Sequence, residues 1–290
     1  MGSLLLNLPP LELLLSVPVL ALLGLCVGSF LNVVVHRLPL MLERGWKLDS
    51  AEMLGVTLDD DASAAVTLSK PRSRCPSCGH AIAWHENIPV FSYLRLAGKC
   101  SACKTPISPR YPLIEVLTAA LFGAVAWKFG AQPIALLWCG FAAVLVALAG
   151  IDWDTTLLPD NLTLPLLWAG LVAAALGWTI PLPAALWGAV AGYLSLWTVY
   201  WLFKLVTGKE GMGFGDFKLL AALGAWLGAN MILPIVLAAS IIGAIVGIVM
   251  KLKASLREGR YVPFGPFLAG AGLVVLLLGS PRVLGWLGWA

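Results

Sequence analysis

Charged residues are scarce in this sequence: Lys, Arg, Asp and Glu make up 12% of the 290 residues, whereas a soluble domain carries about a quarter. Hydrophobic residues make up 60%. The first apolar stretch lacks the basic start and small-residue cleavage site of a secretory signal, so we expect a retained helix. A glycine-rich loop between a strand and a helix, which would mark a nucleotide-type cofactor site, is also not found. The scarcity of charge and the high apolar content favour a protein embedded in a lipid bilayer.

Long apolar runs between clusters of charge predict membrane-spanning helices, since about 20 apolar residues cross the hydrocarbon core. We expect an all-α polytopic membrane protein. About eight transmembrane helices are predicted, at 11–35, 111–127, 133–151, 162–178, 183–203, 219–229, 231–250 and 264–280. The segment 219–250 fits either one overlong helix or two. Two helices keep the basic residues that follow it on the same side as the other basic loops, so we expect a turn at 228–230.

Basic residues fall almost entirely in three loops, at 37–110, 204–218 and 251–260, with only Lys128 and Arg282 outside them. Positive charge marks the cytoplasmic loops of membrane proteins, so these loops are predicted to be cytoplasmic. The net charge of +4 therefore reflects membrane orientation, and no nucleic-acid partner is expected.

The chain is accordingly divided into three parts. A first transmembrane helix occupies 1–36, a cytoplasmic loop occupies 37–110, and membrane-embedded helices occupy 111–290. Within the loop, the segment 40–69 has no clear periodicity and is interpreted as a surface linker.

Four of the six cysteines form two CxxC pairs: Cys75, Cys78, Cys100 and Cys103. Two such turns can place four thiolates around one Zn²⁺ in a closed tetrahedron, which is typical of a structural site. Two disulfides are the alternative, but the predicted cytoplasmic location favours reduced thiols. The loop is therefore predicted to be a zinc-ribbon-like domain. Because four thiolates fill the site, His80 and His85 are not expected to be ligands.

Acidic residues inside or beside the apolar runs are few, and an ionisable group at membrane depth is a candidate functional residue. Asp152 follows the apolar run 145–151, and Asp216 ends the segment Gly211-Met-Gly-Phe-Gly-Asp216. The alternate glycines leave one edge free of side chains, so that a substrate backbone can approach the carboxylate. Both acids are predicted at the cytoplasmic membrane boundary. Two carboxylates that meet there can share one proton, activate water and protonate a carbonyl oxygen.

Without a family resemblance, these acidic residues fit other roles as well. Asp152 and Asp216 fit helix caps or a cation site about as well as a catalytic pair. Asp160 precedes an apolar helix, which is typical of a turn or N-cap residue. Glu115 lies one turn into the second apolar run, where pairing with Arg110 or a helix-end role competes with function.

Several segments of the sequence, in a fixed order, carry a family resemblance. They are 28–39 (GSFLNVVVHRLP), the two CxxC pairs, 87–89 (NIP), 110–112 (RYP) with Glu115, 151–160 (IDWDTTLLPD) and 213–216 (GFGD). Together they resemble the type IV prepilin peptidases, the bifunctional prepilin leader peptidase/N-methyltransferases of bacterial inner membranes, which are GxGD aspartyl proteases. The resemblance implies that Asp152 and Asp216 are the catalytic pair.

The resemblance also implies substrates and a second reaction. The substrates are type IV prepilins and type II secretion pseudopilins, cut after a glycine at the end of a short basic leader. The new N-terminal residue, commonly phenylalanine, is then methylated with S-adenosylmethionine, and the region 37–110 is the expected seat of that activity. The sequence does not identify the residues that bind the methyl donor.

Two alternatives belong to other functional classes. A proton-coupled transporter with a zinc-ribbon regulatory loop also uses membrane-edge acids, although the inverted repeats that favour it are not found. A methyltransferase or assembly scaffold with structural aspartates is the third possibility.

Overall fold

The computed structural model describes residues 11–56, 66–252 and 262–289, and its regular structure is helical. The prediction of an all-α chain is confirmed: these residues contain two isolated bridges and no strand. The α-helices of the described residues are α1 (Leu11–Leu14), α2 (Val17–Leu54), α3 (Phe91–Arg95), α4 (Arg110–Phe129), α5 (Ile134–Thr155), α6 (Asp160–Ala175), α7 (Leu182–Thr207), α8 (Phe214–Leu227), α9 (Ile232–Leu252), α10 (Gly265–Leu278) and α11 (Ser280–Trp286). Single 3-10 turns lie at Trp84–Glu86 and Ala229–Met231.

Several of these helices are suited to a bilayer. Among the described residues, five helices are long and apolar enough to cross a membrane: α2, α4, α5, α7 and α9 with the turn before it. The number is six if α10 and α11, which are bent by 105°, form one span. The polytopic membrane protein is thus confirmed, while the count of eight transmembrane helices stays a prediction.

Contacts divide the chain into two compact units between Ala143 and Val144, and α5 runs from one into the other. In the first unit, α2 packs along α4. A Cβ atom at Gly24 would lie 2.7 Å from the Cα of Ala119, and Gly28 approaches α4 as closely one turn along. Small residues at such positions let two membrane helices pack backbone to backbone.

Helix α2 is longer than the sequence predicted. It continues to Leu54 and ends where Gly55 adopts a left-handed conformation (φ 64°), a common helix C-terminus. The interpretation of 40–69 as a linker is therefore wrong for its first fifteen residues. The α2 residues beyond Leu40 are all exposed or half-buried, so this part of the helix has no buried face that would impose a regular apolar stripe on the sequence. The remainder of the predicted linker lies largely outside the described residues.

Helix α8 is the centre of the second unit. It packs against α6, α7 and α10, and each residue from 219 to 227 is buried. Its 14 residues span about 21 Å, less than the roughly 30 Å of a hydrocarbon core. Protein surrounds the described helix on its sides, so it can be this short without exposing backbone to lipid.

Helices α7 and α8 pack in close backbone contact. A Cβ atom at Gly192 would lie 2.5 Å from the carbonyl oxygen of Leu220, and one at Gly188 would overlap the carbonyl oxygen of Gly224. At its far end α8 stops at Gly228, whose φ of 90° suits glycine. The prediction of two helices, rather than one, in 219–250 is confirmed.

Candidate active site and cysteine cluster

Asp152 lies one turn before the end of α5 and is 4% exposed. Its Oδ2 atom accepts a hydrogen bond of 2.9 Å from the backbone N–H of Gly265, the first residue of α10. The first N–H groups of a helix have no partner within the helix and carry partial positive charge. The start of α10 therefore fixes one oxygen of this carboxylate.

Gly265 is a residue of the site that the sequence analysis missed. A Cβ atom there would lie 2.6 Å from Oδ2 of Asp152 and 3.1 Å from the methyl carbons of Leu158. Only glycine lets the N–H reach the carboxylate at this distance. The available sequence signal was Pro263-Phe-Gly-Pro266, a glycine between prolines at the start of an apolar run.

Asp216 is the third residue of α8 and is 7% exposed. Its position in the first turn suits a carboxylate, because the helix N-terminus favours negative charge. The Oδ1 atom of Asp216 is buried and has no hydrogen-bond partner among the described residues. Most buried polar atoms are hydrogen-bonded, so this orphan oxygen needs an explanation.

The glycines before Asp216 differ in their surroundings. A Cβ atom at Gly215 would lie 2.7 Å from the Cβ of Leu158, whereas Gly213 has open space around it to 4.0 Å. The open side at Gly213 agrees with the expected approach of a substrate backbone. Gly215 lies within α8, and its lack of a side chain lets the helix pack closely on Leu158.

The structure brings the two acids together from stretches of chain 64 residues apart. Leu158 is the shared neighbour: its side chain packs on Gly215, next to Asp216, and on Gly265, which holds Asp152. Two buried acids at the ends of two apolar helices therefore form one site.

The nearest lysine in sequence does not neutralise that site. Lys218, two residues after Asp216, donates to both carboxylate oxygens of Asp160 at 2.7 Å. This ion pair ties the start of α6 to the start of α8. Asp160 lies at a helix start as predicted, although the N-cap residue is Pro159.

The four cysteines of the CxxC pairs converge in the first unit. Their sulfur atoms all lie within 4.8 Å of one another, and the sulfurs of Cys75 and Cys103 are 3.7 Å apart. Four sulfurs bound to one Zn²⁺ at about 2.3 Å are roughly 3.8 Å from each other. The cysteines are free thiols in the structure, so the alternative of two disulfides is not supported. The donor set and its spacing fit zinc.

Both CxxC turns have the same backbone pattern. The N–H of the residue four after the first cysteine donates to that cysteine's carbonyl, from Gly79 to Cys75 and from Lys104 to Cys100. Both donors have positive φ, 72° and 61°. The two halves of the site are thus built alike although their sequences differ.

Hydrogen bonds favour the thiolate at two of the four sulfurs, Cys75 and Cys103. The backbone N–H groups of Cys78 and Ser77 lower the pKa of Cys75. The hydroxyl and N–H of Thr105 lower the pKa of Cys103 to about 6. The backbone of His80 lowers the pKa of Cys78, but the thiol of Cys103 and burial outweigh it and raise that pKa to about 11. Thiolates are the forms that bind zinc.

The histidines beside this cluster have other partners. The Nε2 atom of His80 lies 3.2 Å from Oε2 of Glu86, and the ring of His85 packs edge-on against Trp84. Within the described part of the chain, the group of residues suited to a metal consists of the four cysteines alone. This agrees with the expectation that neither histidine is a ligand.

Comparisons with known proteins bear on both sites. Residues 22–129 match the family described as the bacterial peptidase A24 N-terminal domain, and residues 139–248 match the type IV leader peptidase family. A prepilin leader peptidase/N-methyltransferase of Pseudomonas aeruginosa is 56% identical over 264 residues, 89% of each chain. The chain belongs to the prepilin leader peptidase/N-methyltransferase family.

Other members of the prepilin leader peptidase/N-methyltransferase family are similar over most of their length. The relative from Stutzerimonas stutzeri is 53% identical over 272 residues, 92% of each chain. The relative from Neisseria gonorrhoeae is 48% identical over 273 residues, 93% of this chain and 94% of its own. No solved structure matches. The transporter alternative is not supported.

Each of the two family matches contains one of the two sites. The cysteine cluster falls within 22–129, whereas Asp152 and Asp216 fall within 139–248. Gly265 lies beyond the end of the second match. The hydrogen bond to Asp152 thus comes from a part of the chain that the leader peptidase match does not include.

Proposed function

We propose that this chain removes the leader peptide from type IV prepilins and type II secretion pseudopilins and then methylates the new N-terminus, with Asp152 and Asp216 as its catalytic pair. The shared name of the relatives supplies the two reactions. The observation that carries the peptidase assignment is the orphan Oδ1 of Asp216 in a site shared with Asp152. A buried polar atom without a partner costs about 1–3 kcal/mol. Such an atom is retained where a reactant supplies the missing hydrogen bond.

Two carboxylates that hold one proton between them can hydrolyse a peptide as base and acid. The ionised carboxylate takes a proton from a water molecule while the water oxygen attacks the carbonyl carbon. The protonated carboxyl gives its proton to the carbonyl oxygen. The C–N bond of the tetrahedral intermediate then breaks as the carboxyl that took the water proton gives it to the leaving nitrogen. The other carboxylate regains its proton from a hydroxyl of the intermediate, and a carboxylic acid and an amine result. The N–H of Gly265 fixes one oxygen of Asp152, which keeps that carboxylate from rotating during these steps.

A prepilin suits a site at the end of membrane helices. Its basic leader stays in water and its apolar helix lies in lipid, so the scissile bond falls at the boundary between them. Asp152 and Asp216 occupy helix ends of this kind, the last turn of α5 and the first turn of α8. Because the leader is cytoplasmic and the helices are apolar, the reaction is proposed to occur at the bacterial inner membrane.

The cysteine cluster is proposed to hold a structural zinc ion. Its ligands are Cys75, Cys78, Cys100 and Cys103, which leave no open position for a substrate. When bound, the ion ties two distant turns of the loop region 37–110 together. We assign the methyltransferase to this region, where S-adenosylmethionine supplies a methyl group to the new amine.

Coexpression with a prepilin tests the proposal. The mass of the recovered pilin is expected to show loss of the leader and gain of one methyl group. Asp152→Asn and Asp216→Asn should each leave the leader attached. Asp160→Asn is the matched control, since this exposed acid pairs with Lys218 and cleavage should persist. Leader removal by both catalytic-pair variants would overturn the peptidase mechanism, and an unmethylated new N-terminus would overturn the methyltransferase.

A further inference from the structure

The first unit contains a cavity of about 720 Å³, bounded by α2, α4 and the cysteine-bearing segment. Sites for small molecules and cofactors typically enclose about 300–1,000 Å³. The proposed peptidase chemistry uses none of its lining residues. The peptidase chemistry therefore assigns no role to this cavity.

One wall of this cavity contains a strained turn. Val90 has φ 57° and ψ −47°, and the N–H of Phe91 donates to the carbonyl of Pro89 at 2.5 Å. These are the features of the γ-turn with positive φ, which is rare and strained. A β-branched residue in this region is an outlier. Strain of this kind persists where surrounding contacts enforce it, and it clusters at ligand sites.

Glu115 is the contact that enforces the turn. It is buried at 7% exposure in α4, and its Oε2 accepts the N–H of Val90 at 2.7 Å. Glu115 also lines the cavity. A carboxylate placed among apolar helices is expensive, so its retention at this wall indicates a role beyond packing.

Two further lining residues, Glu86 and Arg37, are held in place by hydrogen bonds. Ser101, the N–H of Ala83 and His80 lower the pKa of Glu86 to about 2, so this lining residue is an anion at neutral pH. The guanidinium of Arg37, which also lines the cavity, donates to the carbonyl oxygens of Thr67 and Pro71 at 2.8 Å each. The acids Glu86 and Glu115 and the bases Arg37 and Arg74 all line the cavity, so it offers acidic groups for the cationic part of a ligand.

We infer that this cavity binds the methyl donor, with Glu115 as the residue that positions its wall through Val90. The inference rests on the proposed methyltransferase activity and identifies a binding site for its methyl donor. S-adenosylmethionine carries a sulfonium and an ammonium group, which suit the carboxylates of Glu86 and Glu115. The rings of Tyr93 and Tyr111, which also line the cavity, suit its adenine.

Donor binding to the full chain in detergent gives the first test. Ser29 on α2 lines the cavity, and Ser29→Phe fills part of the space. Equilibrium dialysis with radiolabelled S-adenosylmethionine should show binding that is roughly tenfold or more weaker than in the wild type, about 1.4 kcal/mol. Cys26→Phe is the matched control, because Cys26 is exposed on the same helix and does not line the cavity. Its affinity should be unchanged, and equal zinc content should verify that both variants fold.

A second measurement needs no variant. His36 lines the cavity and is exposed, whereas His85 is exposed outside it. Diethylpyrocarbonate modifies exposed imidazoles, and saturating S-adenosylmethionine should protect His36 while His85 reacts as before. Equal modification of His36 with and without the donor would overturn the inference, even if Ser29→Phe fails to fold.

The positioning role of Glu115 has its own readout. Glu115→Ala leaves the N–H of Val90 without its acceptor and should raise the KM for the methyl donor more than it lowers kcat. Glu115→Gln keeps an oxygen that accepts this N–H and should restore much of the loss. Equal KM values for the wild type and Glu115→Ala would contradict the role.

These tests separate two kinds of failure. If the wild-type chain neither binds S-adenosylmethionine nor methylates a pilin, the proposed methyltransferase fails. If it does both while Ser29→Phe binds as tightly and His36 stays unprotected, only the assignment of the donor to this cavity fails.

Discussion

A single added methyl group at Gly265 should disable leader cleavage. In Gly265→Ala the new Cβ atom would lie 2.6 Å from Oδ2 of Asp152, whereas ordinary contact begins at 3.4 Å, so the carboxylate must move by about 0.8 Å. Leu158, at 3.1 Å from the same Cβ atom, blocks an easy shift of the α10 backbone. A displacement near 1 Å of a catalytic group costs roughly 100-fold in rate. We therefore expect kcat for leader removal to fall by about that factor.

The assay is cleavage of a purified prepilin by the purified chain in detergent, followed by gel shift over time. Gly270→Ala is the matched control on the same helix, because a Cβ atom at Gly270 meets no atom of the described residues within 4 Å. Its kcat should equal that of the wild type. Thermal unfolding of both variants separates a displaced carboxylate from a damaged fold. Wild-type cleavage by Gly265→Ala would refute the claim that this N–H sets the position of Asp152.

Three further perturbations follow from particular contacts. Trp226→Phe removes an indole N–H that donates to a carbonyl of α6 at 2.8 Å inside the protein, and the free energy of unfolding should fall by about 1–3 kcal/mol. An unchanged denaturation midpoint would contradict this. Gly188→Ala drives a methyl group into the backbone of α8 and should destabilise by about 1–3 kcal/mol, whereas Gly140→Ala, with nothing within 4 Å, should not. Cys103→Ser should abolish stoichiometric zinc in metal analysis and reduce methylation more than cleavage, whereas zinc retained as in Cys26→Ser would exclude Cys103 as a ligand.

The sequence was sufficient for features that depend on local pattern. Apolar runs predicted the membrane helices, and the CxxC spacing predicted a cluster that the described residues form. The glycine at 228 marked the break after α8. The helices and the break follow from residues close together in the chain, whereas the cluster follows from the ligand spacing typical of zinc sites.

Features that depend on distant contacts were not predictable in this way. The hydrogen bond from Gly265 to Asp152 joins residues 113 apart, and no periodicity reports it. The contact of Glu115 with Val90 joins residues 25 apart, and the sequence favoured neighbours of Glu115 within its own helix instead. The extension of α2 to Leu54 was missed because the helix has no buried residue beyond Pro39, so its outer part shows no clear apolar periodicity.

The central claim is that Asp152 and Asp216 act as one catalytic unit that holds a single proton. The most direct test measures kcat/KM for prepilin cleavage in Asp152→Asn, Asp216→Asn and the double variant. Groups that act as a unit give non-additive losses, so each single variant should lose as much activity as the double. Substantial cleavage by either single variant, or losses that multiply in the double variant, would contradict the account.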